Sequence, residues 1–223
     1  MISFETMKEQ IPFWDRLHEE EKEKLAESAR RESFRKGERI DRASGQCRGM
    51  IRILSGRLRT YFLSEEGREI TLFFLPPDEI CVLSASCLMN TVSFEVFIEA
   101  VEDTELLLLP SAMLHGIMEN NPEVELFLSR TANSRLSDAM QAMQRVLFLS
   151  AEARVALFLL EEAQLSGKEE ISCTHEEIAR FIGSAREVVS KTLKGFVAEG
   201  ILKTGRGKIE ILDGEKLKKK GLM

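Results

Sequence analysis

The chain has 223 residues, 43% of them apolar and 30% charged, which is the balance of a folded protein rather than a disordered or fibrous one. The opening MISFETMKEQ has no basic segment followed by an apolar run, and runs such as Leu106 to Pro110 fall far short of the roughly 20 residues that span a bilayer. A cytoplasmic protein without a membrane segment is expected. The net charge of -6 is unevenly shared: from Arg180 to Met223 there are 11 basic against 5 acidic residues, so the excess of acid lies in the rest of the chain. Such asymmetry points to a separate nucleic-acid-binding module at the C-terminal end.

In chain order, Glu19 to Arg30 reads as a surface helix. From Glu32 to about Leu109 short β-like segments follow, at Ile40, Met50 to Leu54, Leu58 to Leu63, Ile70 to Phe74, Phe94 to Ala100 and Glu105 to Pro110. Gly37, Gly45, Gly49, Gly56 and Gly67 punctuate them as turns, and the spacing suggests an antiparallel β-roll or barrel. Pro122 to Ser150 then reads as one long helix. Leu136, Met140, Met143 and Leu147 recur at intervals of four, three and four, with Leu128, Ala132 and Ala139 extending the stripe. That period suits a seam between two helices, and about 29 residues span roughly 43 Å, longer than one small domain requires. A homodimer is therefore expected. A second helix, Ala151 to Gln164, ends at Ser166-Gly167, and Ile171 to Cys173 reads as a short strand.

Residues Thr174 to Lys194, THEEIARFIGSAREVVSKTLK, carry the strongest signal. Thr174 and Glu177 have the spacing of a capping box, with Ile178 and Phe181-Ile182 as the apolar face behind them. Gly183 stands at the turn, and Ser184 is placed to cap a second helix with Val188, Val189, Thr192 and Leu193 on its buried side. The opposite side carries Arg186, Glu187, Ser190, Lys191 and Lys194, donors and acceptors suited to base edges and phosphates. Glu187 lies three residues after Ser184, so closing a second capping box is a competing role for it. Ile201 to Lys203 and Lys208 to Leu212 then form a candidate wing around Thr204-Gly205-Arg206-Gly207, with Lys203, Arg206 and Lys208 as phosphate contacts. The fold class is α+β: an N-terminal antiparallel β-roll (residues 1–121), a dimerisation helix (122–150) and a C-terminal winged helix-turn-helix (151–223).

This order of elements, with KGERI (Lys36 to Ile40), LSGRLRTYFLSEEGREITL (Leu54 to Leu72) and THEEIARFIGSAREVVSK (Thr174 to Lys191), resembles the CRP/FNR family of bacterial transcription regulators. The resemblance implies a cyclic-nucleotide-binding-like roll and a dimer that binds an inverted repeat of double-stranded DNA. Half-site centres would be about 34 Å apart, and RNA polymerase would be a partner. The family's recognition helix presents E-x-x-S-R. Here Glu187, Ser190 and Lys191 match it, so Glu187 would accept from a cytosine amino group and Ser190 would contact a base or its phosphate. Lys191 replaces the arginine. Lysine donates to guanine without the rigid fork of a guanidinium, which departs from an FNR-like TTGAT half-site.

The resemblance also bears on the effector. Members that bind cyclic nucleotides hold the phosphate with a Gly-Glu pair and a later Arg-Ser pair. The segment from Pro76 to Ala100 has no Gly-Glu, and Phe94 and Glu95 stand near the Arg-Ser positions. No cysteine precedes Cys47, so the N-terminal iron–sulfur cluster of the FNR branch is not expected, and no metal site is marked. The cofactor is unknown. A small-molecule effector is placed among Cys81, Ser84, Ser86, Cys87 and Met89, with Arg135, Met140 and Met143 opposite. A thiol- or heme-based redox sensor is the alternative, and a roll with no ligand, in which these residues are plain core, is a further one. No nucleophile elbow, P-loop, HExxH or dinucleotide fingerprint occurs, so no catalytic residue and no enzyme activity are expected.

Overall fold

The computed structural model describes residues 2–40, 48–82 and 96–222. The chain divides into two compact units, one of Met1–Phe62 with Leu72–Ala139, the other of Leu63–Thr71 with Met140–Met223.

In the first unit, helix α1 (Phe4–Gln10), a single 3-10 turn (Trp14–Arg16) and helix α2 (Glu19–Ser28) precede the sheet strands. Strands β1 (Arg30–Phe34), β2 (Gly49–Ser55), β5 (Ile80–Cys81) and β7 (Thr104–Pro110) make an antiparallel sheet in the order β1-β7-β2-β5. Strands β3 (Leu58–Leu63), β4 (Glu69–Leu75) and β6 (Phe97–Ala100) make a second sheet in the order β4-β3-β6. The β-roll expected from the glycine-punctuated stretch is therefore present. The expected helix from Glu19 ends at Ser28, and Arg30 already belongs to β1. Of the expected strand from Phe94, residues 97–100 are observed, and 94 and 95 lie outside the described residues.

The apolar run of β7 follows from its position. Being central, it needs apolar side chains on both faces. Leu107 and Leu109 enter one core with Met7, Phe13, Trp14, Leu25 and Leu114. Leu106 and Leu108 enter the other with Ile51, Ile53, Leu58 and Leu75. Gly56 links β2 to β3 at φ +79, where an added Cβ would lie 2.3 Å from the Asp103 carbonyl oxygen. Only glycine fits there without moving that backbone.

Helix α3 (Ser111–Asn120) leads into the long α4 (Pro122–Phe148). Proline suits the first helical position because its missing N–H would have had no partner there. Asn121, 5% exposed, accepts from the Val124 N–H at 3.4 Å and donates to the Arg16 carbonyl at 2.8 Å, fixing where α4 starts. Among the described residues no helix is long and apolar enough to cross a membrane.

In the second unit, α5 (Ala151–Ser166) is capped by Ser150, whose Oγ accepts from the Ala153 N–H at 3.1 Å. Helices α6 (His175–Ile182), α7 (Arg186–Ala198) and α8 (Gly214–Gly221) pack against it. Strands β8 (Glu170–Ile171), β9 (Leu202–Gly205) and β10 (Lys208–Ile211) form an antiparallel sheet in the order β8-β10-β9.

Candidate nucleic-acid interface

Helix α6 begins with a complete capping box. The Glu177 N–H donates to Thr174 Oγ1 at 3.1 Å, and the Thr174 N–H donates to Glu177 Oε2 at 2.9 Å. It ends at Gly183, whose φ of +65 is left-handed, while the Ser184 N–H returns to the Ala179 carbonyl at 2.9 Å. Ile178, Ala179 and Ile182 are buried, as are Val189, Leu193 and Phe196 of α7. The two helices therefore pack on these residues, with the turn between them held tightly.

Two arginines hold that turn. Arg154 Nη1 donates to the Ile182 carbonyl at 3.0 Å, and Arg68 Nη2 to the Gly183 carbonyl at 3.1 Å. These carbonyls form the negative end of the α6 dipole, so cations are favoured beside them. Burial is the main influence lowering the Arg154 pKa, and the charge of Arg68 adds to it. Arg180 adds a looser contact to Glu69 at 3.9 Å.

The capping expected of Ser184 does not occur. Ala185 is the N-cap of α7, and it makes no side-chain cap bond. The helix starts one residue later than the motif spacing suggests, because Ser184 is still engaged in closing α6. Glu187 is thereby released from the competing capping role, and its side chain is exposed. Val188, expected on the buried side, is 41% exposed; the apolar stripe runs through Val189, Leu193 and Phe196 instead.

Arg186, Glu187, Lys191 and Lys194 are exposed along one side of α7, and Ser190 is half-buried among them. Arg186 Nε lies 3.7 Å from Glu176 Oε2, and Ser190 Oγ is 3.0 Å from His175 Nδ1. Both partners come from the first turn of α6. The wing turns at Arg206 and Gly207, and Arg206 is exposed. Lys208 pairs with Glu170 at 2.7 Å and Lys203 with Glu210 at 3.7 Å; both pairs are exposed. Exposed pairs of this kind contribute little and exchange readily for a phosphate.

The other expected residues are more scattered. On α4, Leu136, Met140, Met143 and Leu147 are 49%, 53%, 40% and 69% exposed, an apolar stripe largely open among the described residues. Arg135 is committed to Glu79 and Asp138. Cys81 is fully buried in the roll core, and Cys173 is buried in the second unit. Ser84, Ser86, Cys87 and Met89 lie outside the described residues. Sequence reading missed a buried pair inside the roll, Arg59 with Glu99 at 3.1 Å, Arg59 lying 4.4 Å from the Tyr61 ring centre. It also missed the contacts from His175 and Glu176. A polar residue one helical face away from its partner gives no signal in spacing alone.

A β-roll, a long helix and a helix pair followed by a β9–β10 wing, its sheet completed by β8 from before the pair, define a transcription-regulator architecture with a DNA-binding winged helix-turn-helix. Residues 31–121 match the model of the cyclic nucleotide-binding domain, and residues 153–220 that of the Crp-like helix-turn-helix domain. A crystal structure of a Crp/Fnr-family chain from Eubacterium rectale superposes with a TM-score of 0.90 at 39% identity, covering 96% of this chain and 100% of that one. The transcriptional regulator SdrP of Thermus thermophilus is 31% identical over 175 residues, 75% of this chain and 81% of that protein. The cyclic AMP receptor protein of Thermus thermophilus is 30% identical over 159 residues, 71% of this chain and 73% of that protein. The chain belongs to the CRP/FNR family of transcription regulators. These are DNA-binding proteins rather than enzymes.

Proposed function

We propose that the protein acts as a homodimer that reads an inverted DNA repeat through α7 and is controlled by an effector held in the β-roll. The single observation that carries the reading is the division of α7 into two sides. Val189, Leu193 and Phe196 are buried, whereas Arg186, Glu187, Lys191 and Lys194 face solvent beside the wing. In this reading Glu187, Ser190 and Lys191 address base edges. Thr174, Ser184, Arg186, Lys194, Arg206 and Lys208 address the backbone, where most protein–DNA hydrogen bonds fall. Residues 1–121 serve as sensor, 122–150 as dimerisation helix and 151–223 as DNA-binding module, with RNA polymerase as the downstream partner.

The stripe of Leu136, Met140, Met143 and Leu147 supports a second copy as its cover, because exposed apolar positions at this period suit a helix–helix seam. The effector is unidentified but is read as other than a cyclic nucleotide, since the sequence from Pro76 to Ala100 lacks the Gly-Glu pair and offers Phe94 and Glu95 near the positions of the other phosphate contacts. The test is sedimentation of the wild type and a Met140→Glu/Leu147→Glu variant. A dimer that dissociates in the variant while keeping its helical circular dichroism supports the seam. A wild type that is monomeric at micromolar concentration removes it.

A further inference from the structure

We infer that His175 is a positioning residue that sets the hydrogen-bond polarity of Ser190, and so determines which bases that serine accepts. The inference rests on α7 being the base-reading helix.

His175 occupies the first position of α6, half-buried, with Nδ1 3.0 Å from Ser190 Oγ. A serine hydroxyl has one proton and two lone pairs, so what it offers outward depends on what it gives inward. When Nδ1 carries no proton, the hydroxyl donates into the ring. Only lone pairs then remain, which suit the amino groups of cytosine or adenine. When Nδ1 carries a proton, the ring donates to the oxygen. The hydroxyl proton is then free for guanine O6 or N7, or thymine O4. The ring nitrogen therefore decides, without touching the duplex, whether the serine can donate to a base acceptor at all; in the second arrangement one lone pair also remains for an amino group. An imidazolium has protons on both nitrogens, so only the second arrangement survives in acid, and histidine is the side chain that changes charge between about pH 5 and 8.

The charges that bear on the ring come from three elements. On α6 these are Glu176 and Glu177, in the same first turn as His175. On α7, Arg186, Glu187 and Lys194 share the side of Ser190 by helical spacing, and Lys191 adjoins it. Arg154, from α5, lies at the far end of α6, bonded to Ile182.

The test uses full-length dimer and duplexes selected from a randomised pool, then varied at the base pair whose identity Ser190→Ala ceases to discriminate. Fluorescence anisotropy at fixed ionic strength is run between pH 5.5 and 8.5. For the wild type, the preference for an acceptor-presenting base over an amino-presenting one rises by about fivefold toward acid, the scale of one hydrogen bond. In His175→Ala that preference does not vary with pH. In His175→Gln discrimination returns, also without pH dependence, because the amide bonds to Ser190 but does not titrate. Identical pH profiles for wild type and His175→Ala overturn the inference while leaving base reading by α7 intact. A wild type that prefers no selected duplex over random sequence at any pH removes the underlying reading as well.

Discussion

The two helices of the DNA-binding motif begin in opposite ways. At the start of α6 the first-turn amides are met by the chain's own side chains, through Thr174 and Glu177. At the start of α7 the N-cap is Ala185, whose methyl side chain makes no cap hydrogen bond. The unmade cap is not compensated by burial, since Ala185, Arg186 and Glu187 are all exposed. A helix end that its own sequence leaves unsatisfied is offered to water or to an anion. The contrast separates a helix built to be a support from one whose leading end is kept available.

The strongest way to break this contrast is to remove charge from α7. Arg186→Ala/Lys191→Ala is expected to lower affinity for the selected duplex by at least about tenfold and to reduce the salt slope by about two. Its melting temperature should stay close to wild type, because Arg186 and Lys191 are exposed. Salt-dependent anisotropy beside calorimetry checks both halves. Unchanged affinity would make α7 a support like its neighbour.

The caps themselves give the next effect. Thr174→Ala should cost about 1 kcal/mol of stability, the usual worth of a cap. Ala185→Ser should do the reverse and stabilise by up to about 1 kcal/mol, if its hydroxyl meets the first-turn amides as Thr174 does. Urea denaturation of both variants reads the difference. Equal and opposite shifts sharpen the comparison, and a loss of stability in both would end it.

The smallest effect lies at α8, where Asp213 provides a third kind of helix start. Its carboxylate accepts from the Lys216 N–H at 2.9 Å, and that hydrogen bond is the main influence lowering its pKa. A lowered carboxyl contributes stability above the ordinary aspartate range, and loses it as pH falls through its folded value. Lys220 at the other end bonds Glu199 and Glu152, which raises its pKa, with Glu199 the larger influence. That contribution is complete below the ordinary lysine range and is lost as pH rises beyond it. The protection of α8 amides, taken relative to intrinsic exchange at each pH, should therefore fall slightly below about pH 4 and above about pH 10, and stay level between. Asp213→Asn should abolish the acid limb alone.

Sequence showed most of this architecture, for identifiable reasons. The strands of the roll carried glycines at their turns, and the long helix carried an apolar period whose residues stay exposed among the described residues. The α6 capping box was readable because both members are local. The start of α7 was not, because Ser184 was a better cap by type than Ala185, and only the three-dimensional closure of α6 withdraws it. The first helix and Trp14 escaped notice because seven residues are too few to show a period, and their place in the core depends on β7. Arg59 was hidden for the converse reason: a charged residue in a strand reads as solvent-facing until its cross-strand partner Glu99 is known.

The most direct measurement is affinity for the selected inverted repeat as base pairs are inserted between its halves. Two α7 helices fixed in one dimer predict tight binding when half-site centres lie about one helical turn apart, near 10 base pairs, and loss of at least about tenfold in affinity when five more are added. Affinity that ignores the spacing, or that is matched by a single half-site, would contradict a paired reading of the duplex.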